Sequence, residues 1–173
     1  MGLNKIAIVG PESSGKSSLS EALAKKYHTT FVKEYAREYL INLADNYREE
    51  DLLQIAMGQI EAEKKEKKKA DKFLFCDTNL LVIIIWSKYK YGKVNPLIIE
   101  KYKPDDYALH LLLKPDLEYA DDPLRENPSF EERTEIFKMY KEKLIALNVK
   151  FEIIAGQNKS RLYNAVKALD SHF

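Results

Sequence analysis

The chain has 173 residues, with 28 Lys and Arg against 27 Asp and Glu, a net charge of +1. That length suits one domain, residues 1–173, able to bury a core without disulfides. So even a charge balance offers no strong field for nucleic acid or an anionic membrane, and neither is expected as a partner. The single cysteine, Cys76, excludes an internal disulfide and sits in an apolar run as an expected inert thiol, while the three histidines lack the spacing of a metal site.

The first predicted element is the strand "KIAIVG", which runs straight into Gly10, Pro11, Glu12, Ser13, Ser14, Gly15, Lys16, Ser17 and Ser18. Gly10, four residues, Gly15, Lys16 and Ser17 satisfy the phosphate-loop template. A loop wrapped around phosphate turns successive N–H groups inward, and glycines allow the backbone angles and the close approach this needs. A helix starting near Gly15 adds its free N–H groups and positive dipole end. Lys16 adds a point charge, and Ser17 is placed to ligate magnesium. The expected ligands are ATP and Mg2+. The apolar run ahead of the loop is too short for a signal peptide, so a cytoplasmic location is expected.

The second strand, "TTFVK", leads into "KEYAREYL", which sets Glu34 and Arg37 at the carboxyl edge of the same sheet. A hydroxyl acceptor needs a carboxylate within hydrogen-bond reach to take its proton, and Glu34 is the candidate. The alternative is an i, i+3 ion pair of Glu34 with Arg37 on a helix surface. Residues 49–70 read as one long helix, acidic at its start and basic at its end, as the macrodipole favours. The basic run Lys64 to Ala70 is then its solvated end.

The third strand, "KFLFCD", ends in Asp77, where a carboxylate can hold magnesium beside the phosphate loop. "LLVIIIW", Leu80 to Trp86, is rich in β-branched residues but is predicted helical, since Thr78 or Asn79 can cap it and Gly92 can end it. The stretch "FLFCDTNLLVIIIW" is broken by Asp77 and Asn79 and is too short to span a bilayer. After the fourth strand, "YALHLLLK", comes "KPDLEYADDPLREN", which reads either as a lid at about residues 114–130, carrying Arg125 to the migrating phosphoryl group, or as an exposed acidic loop. Core-facing helical stripes at Phe137, Tyr140, Leu144, Leu147 and at Leu162, Ala165, Val166, Leu169 flank a fifth strand, "KFEIIAG". Strands alternating with helices predict an α/β fold with a parallel sheet covered on both faces.

A GTPase switch would carry Asp-x-x-Gly and Asn-Lys-x-Asp. Here Asp77 is followed by "TNL", and the "NKSR" segment has Arg161 where guanine needs an aspartate. Two readings remain, a small-molecule kinase and an ATPase with a regulatory or partner-binding role.

The order "GPESSGKSSL", "TTFVKEYAREYL", "LLQIAMGQIEAE", "FLFCDTN" and "LLLKPDLEYADDPLREN" resembles the nicotinamide riboside kinase domain of the bacterial bifunctional nicotinamide-nucleotide adenylyltransferase and ribosylnicotinamide kinase family. The resemblance implies a P-loop NTPase fold of five parallel strands in the order 2-3-1-4-5. It also implies transfer of the ATP γ phosphate to the 5′-hydroxyl of nicotinamide riboside, a step of NAD biosynthesis. By the resemblance, Lys16 and Ser17 serve the ATP phosphates and magnesium, Glu34, Tyr35 and Arg37 face the nucleoside, and Asp77 sits at the reacting centre. Arg125 rides on the lid, and the loop containing Gly156 lies near adenine. Such kinases tend to carry tryptophan before the Glu-Tyr pair and a second aspartate after Asp-Thr. Here these positions are Lys33, expected as a cation beside the pyridinium ring, and Asn79. Tyr35, Tyr39 or Trp86 is expected to replace the aromatic wall, with core packing the other role open to Trp86. At 173 residues, no adenylyltransferase domain is expected beside the kinase domain.

Overall fold

Five short apolar runs hydrogen-bond side by side in the structure, a computed structural model that describes residues 2–43 and 46–173. They are β1 (Asn4–Val9), β2 (Phe31–Val32), β3 (Phe73–Asp77), β4 (Leu109–Leu113) and β5 (Phe151–Ile154), all parallel and ordered β2-β3-β1-β4-β5. This is the order implied by the resemblance. Because alternate residues of a strand face opposite ways, Ile6 and Ile8 pack under one helical layer, and Ala7 and Val9 under the other.

The helices are α1 (Lys16–Lys26), α2 (Tyr35–Asn42), α3 (Asp51–Lys67), α4 (Leu80–Tyr91), α5 (Pro96–Lys101), α6 (Phe130–Ala146) and α7 (Asn158–His172). Leu19 and Leu23 of α1, with Ala165 and Leu169 of α7, cover one face; residues of α3, α4, α5 and α6 cover the other. The central strands β1, β3 and β4 are therefore buried on both sides, which is why they read as continuous apolar runs.

The segment from Leu80 is helical as expected: Asn79 Oδ1 accepts from Leu81 N at 3.1 Å, and Gly92 closes the helix in a left-handed conformation. Nearly every side of α4 is apolar because it lies between α3 and α6 on the sheet. Two boundaries and one helix differ from expectation. The helix expected over 49–70 runs over Asp51–Lys67. "TTFVK" contributes only Phe31 and Val32 to the edge strand, and Thr29 instead donates its hydroxyl to Phe73 O at 2.7 Å. Helix α5 was not anticipated, although Asn95 caps it and Pro96 opens it, a pairing that marks helix starts. No helix among the described residues is long and apolar enough to cross a membrane.

Candidate active site

The carboxyl ends of β1 and β2 open onto a single cavity whose floor is the phosphate loop, Gly10 to Ser18. Gly10 has φ +146°, and a Cβ there would stand 2.8 Å from Leu113 O, so only glycine lets β1 turn so close to the end of β4. Lys16 Nζ donates to Gly10 O at 3.1 Å and Pro11 O at 2.9 Å, folded over the concavity that a phosphate would fill. Ser14 is fully buried, and its hydroxyl donates to Pro11 O at 2.8 Å, bracing the loop. The free N–H groups at the start of α1 complete the cradle.

Asp77 ends β3 behind this cradle, beside Ser17 and Lys16 but outside the cavity lining, and is 2% exposed. Burial, followed by the negative charge of Glu34, pushes its carboxyl up to about 6, against the opposing influence of the Ser17 hydroxyl and Lys16. Asp77 Oδ1 has no hydrogen-bond partner. A buried, partnerless carboxylate oxygen beside a serine hydroxyl and next to a phosphate cradle fits a magnesium site that Asp77 and Ser17 would hold. Glu34 forms the N-cap position of α2 and lines the cavity, as does Arg37. The i, i+3 pairing of Glu34 with Arg37 does not form; Arg37 instead pairs with Asp122 at 2.5 Å.

The segment 114–129 has no helix or strand and lies across the cavity mouth. Glu12 Oε2 accepts from the backbone N–H of Glu126 at 3.0 Å and of Asn127 at 2.9 Å, so this loop carboxylate grips the segment above it. Ser13 Oγ accepts from Ala120 N at 2.9 Å. Arg125 lines the cavity and donates to Ala120 O, with Ser13 Oγ at 3.4 Å. Farther from the loop the cavity becomes apolar and aromatic, walled by Leu40, Ile85, Trp86, Tyr89 and Leu124.

Several expected positions lie elsewhere. Tyr35 turns away from the cavity, and its ring fills the notch at Gly58 of α3, where a Cβ would meet Tyr35 Cε1 at 1.9 Å. Tyr39 donates its hydroxyl to Asp51 Oδ1 at 2.7 Å. Of the three aromatic residues named from the sequence, Trp86 alone lines the cavity, while also packing on the core. Lys33 is exposed and outside the cavity lining, so its charge does not face that wall. Asn79 is fully buried as the cap of α4, out of reach of a ligand. Gly156 is also outside the cavity lining. Its N–H donates to Asp116 Oδ2 at 2.8 Å, and Arg161, ion-paired to Asp116, donates to Ser14 O at 2.8 Å, which ties the loop after β5 to the phosphate loop.

Sequence reasoning missed Tyr47, Tyr89, Lys90, Asp122, Glu126 and Tyr140. Lys90 follows Trp86 by four residues and so shares its helical face, a signal that was there to be used. Tyr140 was assigned to the core stripe and is 2% exposed, yet it borders the cavity. Tyr47 carried no signal, since a lone tyrosine between helices fits many roles.

A family model described as "AAA domain" matches residues 5–161. The "Trifunctional NAD biosynthesis/regulator protein NadR" of Escherichia coli (strain K12) is 32% identical over 155 residues, which are 84% of this chain and 37% of that protein. The chain thus spans little more than a third of the curated relative it matches. A crystal structure of NadR protein in complex with NR shares the fold with a TM-score of 0.82 at 24% identity, covering 98% of this chain and 51% of that one. Deoxyadenosine kinase from M. mycoides shares it with a TM-score of 0.69 at 18% identity, covering 96% and 99%. The resemblance carried by the loop, the Glu-Tyr-x-Arg-Glu segment and the late arginine segment therefore extends over most of the chain, and the chain belongs to the AAA domain family.

Proposed function

We propose that this chain is an ATP-dependent kinase that phosphorylates the 5′-hydroxyl of nicotinamide riboside, giving nicotinamide mononucleotide and ADP, in the cytoplasm. The observation that carries this reading is one continuous cavity leading from the phosphate loop, past Glu34, to an aromatic chamber at Trp86 and Tyr89. A ribosyl acceptor spans those ends: its ring lies on the aromatic wall and its hydroxyl points at the loop. The identity to NadR and the NR held by a protein of this fold support the choice of acceptor.

In the reaction the acceptor O5′ forms a bond to the γ phosphorus while the bond from that phosphorus to the β,γ-bridging oxygen breaks, and ADP leaves. Glu34 takes the hydroxyl proton. Lys16 leaves the Gly10 and Pro11 carbonyls to meet the β and γ oxygens, and the backbone of Gly10 to Ser18 wraps the phosphates. Ser17 and Asp77 would hold Mg2+, which would offset the charge of the phosphates. Arg125 and Arg37 face the transferred group and the nucleoside, and the segment 114–130 serves as a lid on this single domain, excluding water. The loop at Gly156 flanks adenine. ADP release measured with nicotinamide riboside, with uridine and with no acceptor tests the reading. Fast turnover should require the riboside, and Lys16→Ala should abolish it. Equal turnover without acceptor would mean an ATPase, and a far higher kcat/KM for uridine would mean another nucleoside.

A further inference from the structure

The lid touches both ends of the cavity through one residue. Glu126 presents its backbone N–H to Glu12 of the phosphate loop at 3.0 Å, while its side chain reaches the other way. Its Oε1 pairs with Lys90 Nζ at 2.5 Å, and its Oε2 accepts from the Tyr47 hydroxyl at 2.7 Å. Tyr47 Oη in turn accepts from the Trp86 indole N–H at 2.9 Å and from Lys90 Nζ at 2.6 Å. A phenol has one proton to give and two lone pairs. All three are used here, so the hydroxyl has no rotational freedom left, and the indole it holds is held in turn. The Tyr47 ring meets Trp86 edge-on at 5.0 Å, and Lys90 lies 4.0 Å over the same ring.

We propose that Glu126 is a positioning residue that links the state of the phosphate loop to the aromatic wall of the acceptor chamber, acting through Tyr47 on Trp86. The inference rests on the kinase reading for the identity of the two ends. Exposed ion pairs such as Lys90–Glu126 add little to stability, so this cluster's worth lies in geometry. Coupling requires the two ends to respond to each other. Glu12 is the one carboxylate among Gly10 to Ser18. Glu12 already accepts from the N–H groups of Glu126 and Asn127; a triphosphate entering the loop repels this carboxylate and draws Lys16 off Pro11, the neighbour of Glu12, which changes its hold on both. That change passes through Glu126 to Tyr47 and shifts the indole face before the acceptor arrives.

Trp86 is the single tryptophan of the chain, so its emission reports this wall alone. The β,γ-imido analogue of ATP with Mg2+, titrated without acceptor, should give a saturable change in that emission, tracking uptake measured by equilibrium dialysis. In Tyr47→Phe and Glu126→Ala, uptake should persist while the emission response falls by half or more. Glu126→Gln, which keeps an oxygen for Tyr47, should retain most of it. The KM for the acceptor should rise about fivefold to tenfold in the first two variants with kcat nearly unchanged, the size of one hydrogen bond. A full response in either Glu126→Ala or Tyr47→Phe would overturn the linkage, as would wild-type uptake with no change in emission, and each of these results leaves the kinase reading standing. A chain that takes up no analogue would sink both.

Discussion

Glu34 and Asp77 are both carboxylates at the carboxyl edge of the sheet, but their surroundings differ, and the proposed reaction gives them different work. Glu34 heads α2 and borders the cavity, where the proposed reaction brings the acceptor hydroxyl. Asp77 is buried, with one oxygen unpartnered and its carboxyl pushed up to about 6 by burial and by Glu34. Glu34→Gln keeps size and polarity but takes no proton, so kcat should fall by about 10²- to 10⁴-fold, toward the lower end because the transition state of phosphoryl transfer is loose. Nucleotide affinity should hold. Asp77→Asn should instead weaken the dependence on magnesium and slow all acceptors alike. For the wild type, kcat/KM at limiting Mg2+ should drop as pH falls below about 6, where Asp77 takes up a proton, and Asp77→Asn should flatten that limb. Near-normal kcat in Glu34→Gln with a strong loss in Asp77→Asn would transfer the base to Asp77.

At the level of elements, β1, the phosphate loop and α1 were legible because a short apolar run, a fixed glycine spacing and a helix start are local signals. The sheet was legible for the same reason, since strands buried on two faces show as unbroken apolar runs. What joins distant segments was not legible. Tyr35 reads as an acceptor contact beside Glu34, and only the notch opposite it in α3 shows why it turns inward: Gly58 has no side chain, and the Tyr35 ring occupies the space. The backbone follows, with Tyr35 N–H donating to Gln59 Oε1 at 2.9 Å. Helix α2 is thereby seated on α3, and with it Glu34 and Arg37. The lid contacts of Glu12 and Arg37 also join residues far apart in the chain, and composition carries no trace of them. Gly58→Ala tests the seating of α2. Alanine favours a helix by roughly 1 kcal/mol, but displacing the Tyr35 ring costs about 1–3 kcal/mol as overpacking. Urea unfolding should show a net loss of stability, together with a raised acceptor KM as Glu34 and Arg37 shift. A stabilised variant with unchanged KM would mean that the ring yields freely and that α2 is held elsewhere.

Across the whole molecule, two buried groups set opposing dependences of stability on pH. Asp77 titrates near 6 in the folded chain rather than at its ordinary 3.8, so folding favours its protonated form, and that stabilisation is lost as pH rises through about 6. His110, fully buried in β4 with Tyr102 Oη 3.3 Å from its Nε2, is held down to about 4 by burial from an ordinary 6.5. Its stabilisation is complete above 6.5 and is lost as pH falls toward 4. Each shift corresponds to roughly 3 kcal/mol. Between pH 4 and 6.5 the two slopes cancel, because the folded chain holds an extra proton on Asp77 while the unfolded chain holds one on His110. The half-buried carboxylates of Asp51, Glu66 and Asp122 are all lowered, chiefly by hydrogen bonds, and so act mainly below this window. Urea unfolding should therefore give a wild-type stability that is nearly level from pH 4 to 6.5. Asp77→Asn should uncover the histidine, with stability rising across the window, and His110→Leu should uncover the aspartate, with stability falling. Parallel curves for all three proteins would mean that neither group titrates in the folded state as its burial demands.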